Sequence, residues 1–296
     1  MYYFSIPDSG ATSIYNKILL EAMRQHRDWF YDDFVIETVY GCPRFCIWNG
    51  NRGGSDAPFR PSFWRDIVKN YVSYGVRYRL VFTNFLLQPC DLYDVYANKI
   101  SEILNSIGGY VMVSIPLMGQ YMKKYPGLKV CWSTSTDFGI TEGQQIDNIN
   151  RLSENTLVVL PYEYNNKPVL QKFTHPENLE IIVNEGCIEN CPWRRQHWSN
   201  VNEVNLFRKN GEYTKCLVED DTLRKEVYSH NVNRKQLADY AALGINHFKV
   251  VGRTNPSQAE KAYLEYFVLP ERRENFLEFF LNIMRHNLDE DTFEVK

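Results

Sequence analysis

YVMVSIPLMGQYMKKYPGLKVCWSTS, residues 110–135, is the stretch on which the fold turns. Tyr110–Ile115 and Leu128–Ser135 are apolar runs of strand length, and Leu117–Lys124 between them leaves room for a short helix. Two strands joined by a helical crossover lie parallel in one sheet. Strands that are apolar along their whole length are covered on both faces. The same alternation continues in both directions. Upstream, Phe34–Gly41 (FVIETVYG) and Tyr78–Asn84 (YRLVFTN) predict strands. Pro61–Gly75 predicts a helix with proline at its start and glycine at its end, and Asp91–Ile107 a second, closed by Gly108-Gly109. Downstream, Gln144–Ser153 predicts a helix, Thr156–Tyr162 (TLVVLPY) a strand, and Pro168–Phe173 a short helix. Leu179–Gly186 (LEIIVNEG) is the sixth predicted strand.

A long irregular stretch then runs to about His230, with a short strand at Glu226–Ser229 as the seventh. Arg234–Gly244 predicts a helix, His247–Gly252 (HFKVVG) the eighth strand, and Ser257–Phe267 and Glu274–Asn287 two closing helices. Eight strand–helix units in this length give a single (β/α)8 barrel domain over residues 1–296, of TIM type, with a long loop after the sixth strand. An open doubly wound sheet is the alternative. No GxGxxG or GxxxxGK[ST] follows any strand, which counts against a dinucleotide-binding version of it.

The chain has 296 residues, of which 44% are hydrophobic, enough to bury a large core. The net charge of −3, with no basic block, gives no mark of a general nucleic-acid binder. Neither a basic, apolar leader nor an apolar run of about 18 residues is visible, so the expectation is a cytoplasmic protein with no membrane segment. In a reducing compartment the seven cysteines are read as metal ligands, catalytic groups or core, not as disulfides.

In such a barrel the chemistry sits at the carboxyl ends of the strands. The first predicted strand carries Glu37 and the second ends at Asn84. The fifth offers Tyr162 and Glu163, the sixth Asn184 and Glu185, and the eighth Lys249 and, at its tip, Arg253. Two CxxxC pairs, Cys42/Cys46 and Cys187/Cys191, each follow a strand directly. With Cys216 from the long loop they suggest a thiolate metal centre. A [4Fe-4S] cluster would take Cys187, Cys191, Cys216 and one of Cys42 or Cys46. Zinc would accept His197 in place of the fourth cysteine. A CxxxCxxC radical cluster is not supported, since Asn49 stands where its third cysteine would be. Cys131 lies inside a strand and reads as core. Arg194 and Arg195, flanked by Trp193 and Trp198, can pair with and stack on a planar or anionic substrate.

Val183-Asn184-Glu185-Gly186-Cys187, with Cys191-Pro192, Arg194-Arg195 and His197, resembles a strand-end motif of the U32 peptidase-like barrel proteins. Leu243–Arg253 (LGINHFKVVGR) looks like that family's G[IV]xxFKIxGR strand, and Tyr40-Gly41 with Asn49-Gly50-Asn51-Arg52 is a weaker match. The resemblance implies a (β/α) barrel, a [4Fe-4S] cluster on four cysteines, and hydroxylation of RNA bases or a quinone ring in place of proteolysis. The family's HGxxC and SGxC segments are not found here, so only Cys187, Cys191, Lys249 and Arg253 carry over by match.

The leading expectation is therefore a metal-dependent enzyme that modifies a planar ring, a nucleobase or a quinone-type ring. Glu185 would be the acid/base, with Lys249 and Arg253 beside it. Glu37, Arg52, Asn84, Asn184, Arg194 and Arg195 would bind substrate. A base-exchange barrel acting on nucleic acid is the second reading, with structural zinc and Glu37, Glu163 or Glu185 as nucleophile. A non-catalytic barrel subunit with a protein partner is the third.

Overall fold

The computed structural model describes residues 1–8, 10–43, 46–50, 61–136, 139–188, 191–208, 231–252 and 256–291. Eight strands, all parallel, close into a barrel in chain order. They are β1 (Tyr2–Pro7), β2 (Phe34–Gly41), β3 (Arg77–Phe82), β4 (Gly109–Val113), β5 (Leu128–Ser133), β6 (Val158–Val159), β7 (Leu179–Ile182) and β8 (His247–Lys249). The described helices that matter here are α1 (Gly10–Gln25), α2 (Pro61–Ser73), α3 (Val95–Ile107), α4 (Pro116–Tyr121), α5 (Glu142–Ser153), α6 (Arg194–Asn205), α7 (Leu237–Ala242), α8 (Pro256–Tyr266) and α9 (Arg273–Asp291). The (β/α)8 expectation is therefore met.

The eight strands differ from the predicted eight at the start of the chain. The first strand is Tyr2–Pro7, ahead of anything assigned from the sequence, and β8 pairs directly with β7 and β1. Both sides of β8 are thus occupied, and the predicted strand Glu226–Ser229 lies outside the described residues. The stretch read as irregular after Cys187 contains α6.

Local sequence explains the better-defined ends. Asp94 caps α3 by accepting a hydrogen bond from the Ala97 amide at 2.7 Å, and Gly108 ends it at φ 84°, a conformation that costs glycine little. Thr141 and Gln144 form a reciprocal capping box at the start of α5. Outside the barrel, Phe4 and Phe34 meet Phe267 with ring centroids 4.9 and 4.8 Å away, which ties β1 and β2 to the segment after α8.

Inside the barrel the strands are not simply apolar. Thr38 Oγ1 donates to Ser5 Oγ (2.7 Å), Ser5 Oγ to Glu180 Oε1 (2.5 Å), and Arg79 Nη1 to Glu180 Oε2 (2.6 Å). All four residues are buried. Burial alone would raise the Glu180 pKa, but the Arg79 and Lys249 charges and its hydrogen bonds outweigh it and hold it below the usual range. Cys131 sits beside this network, and burial pushes its thiol up to about 11, in keeping with a core role.

Candidate active site at the barrel mouth

Helix α6 lies across the carboxyl-terminal mouth. Its first turn begins on the Cys191 carbonyl, which accepts from the Arg194 amide at 3.1 Å. Arg194 then reaches β5 and β6: Nη2 donates to the Ser135 carbonyl at 2.7 Å, and Nη1 forms an ion pair with Glu163. The far end of α6 is bound to the loops after β2 and β3. Asn205 Nδ2 donates to the Asn49 carbonyl (2.6 Å), Asn202 Nδ2 to the Gly50 carbonyl (3.1 Å), and Asn202 Oδ1 accepts from the Phe85 amide (2.9 Å). These two groups of strands face each other across an eight-strand ring, and twelve helical residues span roughly 18 Å. Arg194, His197, Val201, Asn202 and Asn205 recur at helical spacing on one face, and His197, Val201 and Asn202 are buried.

The densest chemistry lies at the first turn of α6. The Arg194 guanidinium sits 4.4 Å over the Tyr162 ring, a cation–π contact that adds to its ion pair with Glu163. Tyr162 Oη donates to the Ile188 carbonyl at 3.0 Å. Burial raises the Tyr162 pKa against the pull of Arg194, and the nearby Cys187 and Glu185 raise it further, so the phenol stays protonated. Glu163 Oε2 and Arg194 Nε are enclosed and have no hydrogen-bond partner among the described residues. Each side chain of this ion pair therefore keeps one buried polar atom unsatisfied.

The other predicted site residues divide clearly. Glu185 and Cys187 are half-buried at the end of β7 and belong to the Tyr162 surroundings. Cys191 is half-buried one turn before α6. Lys249 is buried in the barrel interior, with Nζ 4.3 Å from the Tyr40 ring centroid and 3.7 Å from Met112 Sδ. Arg195 is exposed. Asn84 and Asn184 are brackets. Asn84 Nδ2 donates to the Ile47 and Asn202 carbonyls, and Asn184 exchanges two hydrogen bonds with the Val251 backbone. Arg52, Cys216 and Arg253 lie outside the described residues.

Glu37 does not join this group. It lies at the amino-terminal end of the barrel, opposite the mouth, 3.6 Å from His247 Nδ1 and 3.2 Å from Tyr110 Oη. The β1–β2 register slips by one residue between Phe4 and Ser5, where Glu37 is the extra residue. Its pKa is held down first by the His247 hydrogen bond. Glu163 was a nucleophile candidate only in the second reading; its pairing with Arg194 moves it to the centre.

The cysteines do not converge among the described residues. Cys42 and Cys46 are buried, and both act electrostatically on Tyr96 of α3, on the β2–β3 side. Cys187 acts on Tyr162, on the β6–β7 side. No three His, Cys, Asp or Glu side chains among the described residues are grouped to hold a metal ion. The described thiols alone therefore do not make the four-ligand site of a cluster, and every ligand set considered above includes Cys216.

The sequence matches no protein-family model and no curated protein. Its structure aligns with that of the U32 peptidase Mk0906 at a TM-score of 0.51, with 13% identity, over 86% of this chain and 94% of that one. The chain has the fold of a U32 peptidase. Active domain 2 of a chitinase from Pyrococcus furiosus, in a catalytic-site mutant form, aligns at a TM-score of 0.39, with 12% identity over 94% and 96% of the two chains. At 13% identity the likeness to Mk0906 is one of fold alone. No described helix is long and apolar enough to cross a membrane.

Proposed function

We propose that this barrel is an enzyme that modifies a planar ring, a nucleobase or a quinone-type ring, at the mouth beside the first turn of α6. The observation that carries the reading is the enclosed Glu163–Arg194 pair with its two uncommitted polar atoms, placed at strand ends as barrel active sites are. Arg194 would anchor an electron-rich or anionic edge of the ring. Glu163 or Glu185 would take and return a proton at the ring. The Tyr162 face is already covered by Arg194, so the ring would approach from the Glu163 Oε2 side. A cysteine-ligated centre, iron–sulfur or zinc, belongs to this proposal only through Cys187, Cys191 and Cys216 together, and no step is assigned to it.

Two measurements test the reading. Mass spectrometry of RNA digests and quinone extracts from cells lacking the chain is expected to show the loss of one ring modification. Wild type should restore it, and Glu163→Gln should leave it about a hundredfold or more below, the usual scale for losing a positioned acid or base. Unchanged digests and extracts would sink the ring-modification reading. Metal analysis of anaerobically purified protein is expected to find iron with sulfide, or else one zinc, and Cys187→Ala to lose it. Metal-free wild-type protein would remove the centre and leave the Glu163–Arg194 site to stand on the first measurement.

A further inference from the structure

A concavity away from the Glu163–Arg194 cluster lies between α4 and α5. Strand β5 turns Cys131 inward and therefore Trp132 outward, into the gap between α4 and α5. Helix α4 is short, and the gap it leaves is a groove of about 700 Å³. That volume is within the roughly 300–1,000 Å³ of small-molecule sites.

The groove has a floor and a rim of different character. Trp132 is half-buried and forms the floor. Its indole lies against α4 at Gly119, where an added Cβ would come within 2.6 Å of Cη2, so glycine is what lets the ring lie there. Leu152 of α5 adds an apolar wall. At the rim stand two exposed cations, Lys123 and Arg151, and the lining includes no Asp or Glu. Arg151 donates to Asn148 Oδ1 at 2.7 Å through Nη2, within its own helix. Thr136, also in the lining, has an enclosed Oγ1 with no hydrogen-bond partner among the described residues.

We propose that the α4–α5 groove binds a small organic anion with a flat apolar body, its ring on Trp132 and its charged group between Lys123 and Arg151. Thr136 Oγ1 supplies a hydrogen bond from the inner end. The site stands apart from the Glu163–Arg194 cluster and does not rest on the ring-modification reading. The two are nonetheless neighbours through one turn, since Ser133, Thr134 and Thr136 line the groove while the Ser135 carbonyl holds Arg194.

The test uses the purified full chain and two probes of similar shape, anilinonaphthalene sulfonate, which is anionic, and phenylnaphthylamine, which is neutral. The sulfonate is expected to bind at one site per chain with enhanced fluorescence, and more tightly than the neutral probe. The double variant Lys123→Ala/Arg151→Ala should weaken the sulfonate by about tenfold and leave the neutral probe unchanged. Leu152→Trp should fill the groove and abolish both. The double variant changes only exposed side chains, so it keeps the test decisive if Leu152→Trp does not fold. Equal binding of the two probes to wild type, or sulfonate binding indifferent to the double variant, overturns the proposal.

Discussion

Asp8, at the end of β1, shows how much a single side chain is bent by its surroundings. It is buried and accepts hydrogen bonds from Tyr71 Oη (3.0 Å) and Tyr78 Oη (2.8 Å). Burial raises its pKa from 3.8 to about 6, against the pull of both tyrosines. The folded state therefore holds the proton more tightly than the unfolded one. The associated stability is complete below the unfolded pKa and is lost as pH rises through about 6. Asp8→Asn is expected to be more stable than wild type at neutral pH by about 1–3 kcal/mol, with the difference vanishing near pH 4. Urea denaturation of both proteins between pH 4 and 7 measures it, and a constant difference across that range would refute it. At this scale the sequence was readable where a residue's neighbours are set by strand alternation, as for Cys131. It was not readable for Glu37, because FVIETVYG carries no sign of the one-residue slip at which this carboxylate becomes the extra residue, beside His247 and Tyr110 at the amino-terminal end of the barrel. Nor does a sequence show that Glu163 and Arg194, thirty-one positions apart, share one ion pair.

Among the elements, the β4–α4–β5 unit was legible because its apolar runs have strand length and leave room for one short helix between them. Helix α6 was not. RRQHWSNVNEVN has no apolar stripe, and the face it buries is made of His197, Asn202 and their neighbours. That face is held by directed hydrogen bonds in place of hydrophobic packing, a pattern that periodicity of apolar residues cannot detect. β1 is plain in retrospect, since Phe4 and Ile6 point to the helices and Ser5 points inward. Asn202 is the residue on which α6 depends most, as it serves Phe85, Gly50 and Trp198 together. Asn202→Ala removes its hydrogen bonds to the Phe85 amide and the Gly50 carbonyl, at a cost of about 1–3 kcal/mol. Hydrogen exchange should show faster exchange at Phe85 while β4 amides keep their protection. Unchanged exchange at Phe85 would mean that α6 is secured by other contacts.

For the whole molecule, closure is the governing fact. β1 pairs with β2 on one side and with β8 on the other, and a bridge between Phe30 and Val268 joins the same two regions again. Deleting residues 1–8 would leave β2 and β8 with unpaired edges and remove Phe4 and Ile6 from the core. Such a chain is expected to lose cooperative thermal unfolding and to aggregate, as seen by circular dichroism and size-exclusion chromatography. A soluble truncated chain with a sharp melting transition would show that closure is dispensable.

The β1–β8 pairing also has a consequence in time. On the ribosome, the second partner of β1 follows roughly 240 residues after β1 itself, since Tyr3 pairs with His247. At about 5–20 residues per second that is a wait on the order of 10–50 s. β1 can meet β2 early, but its other edge stays open until β8 is made. The nascent chain thus carries an open β1 edge until β8 has been made, and misassociation through that edge has the whole interval in which to occur.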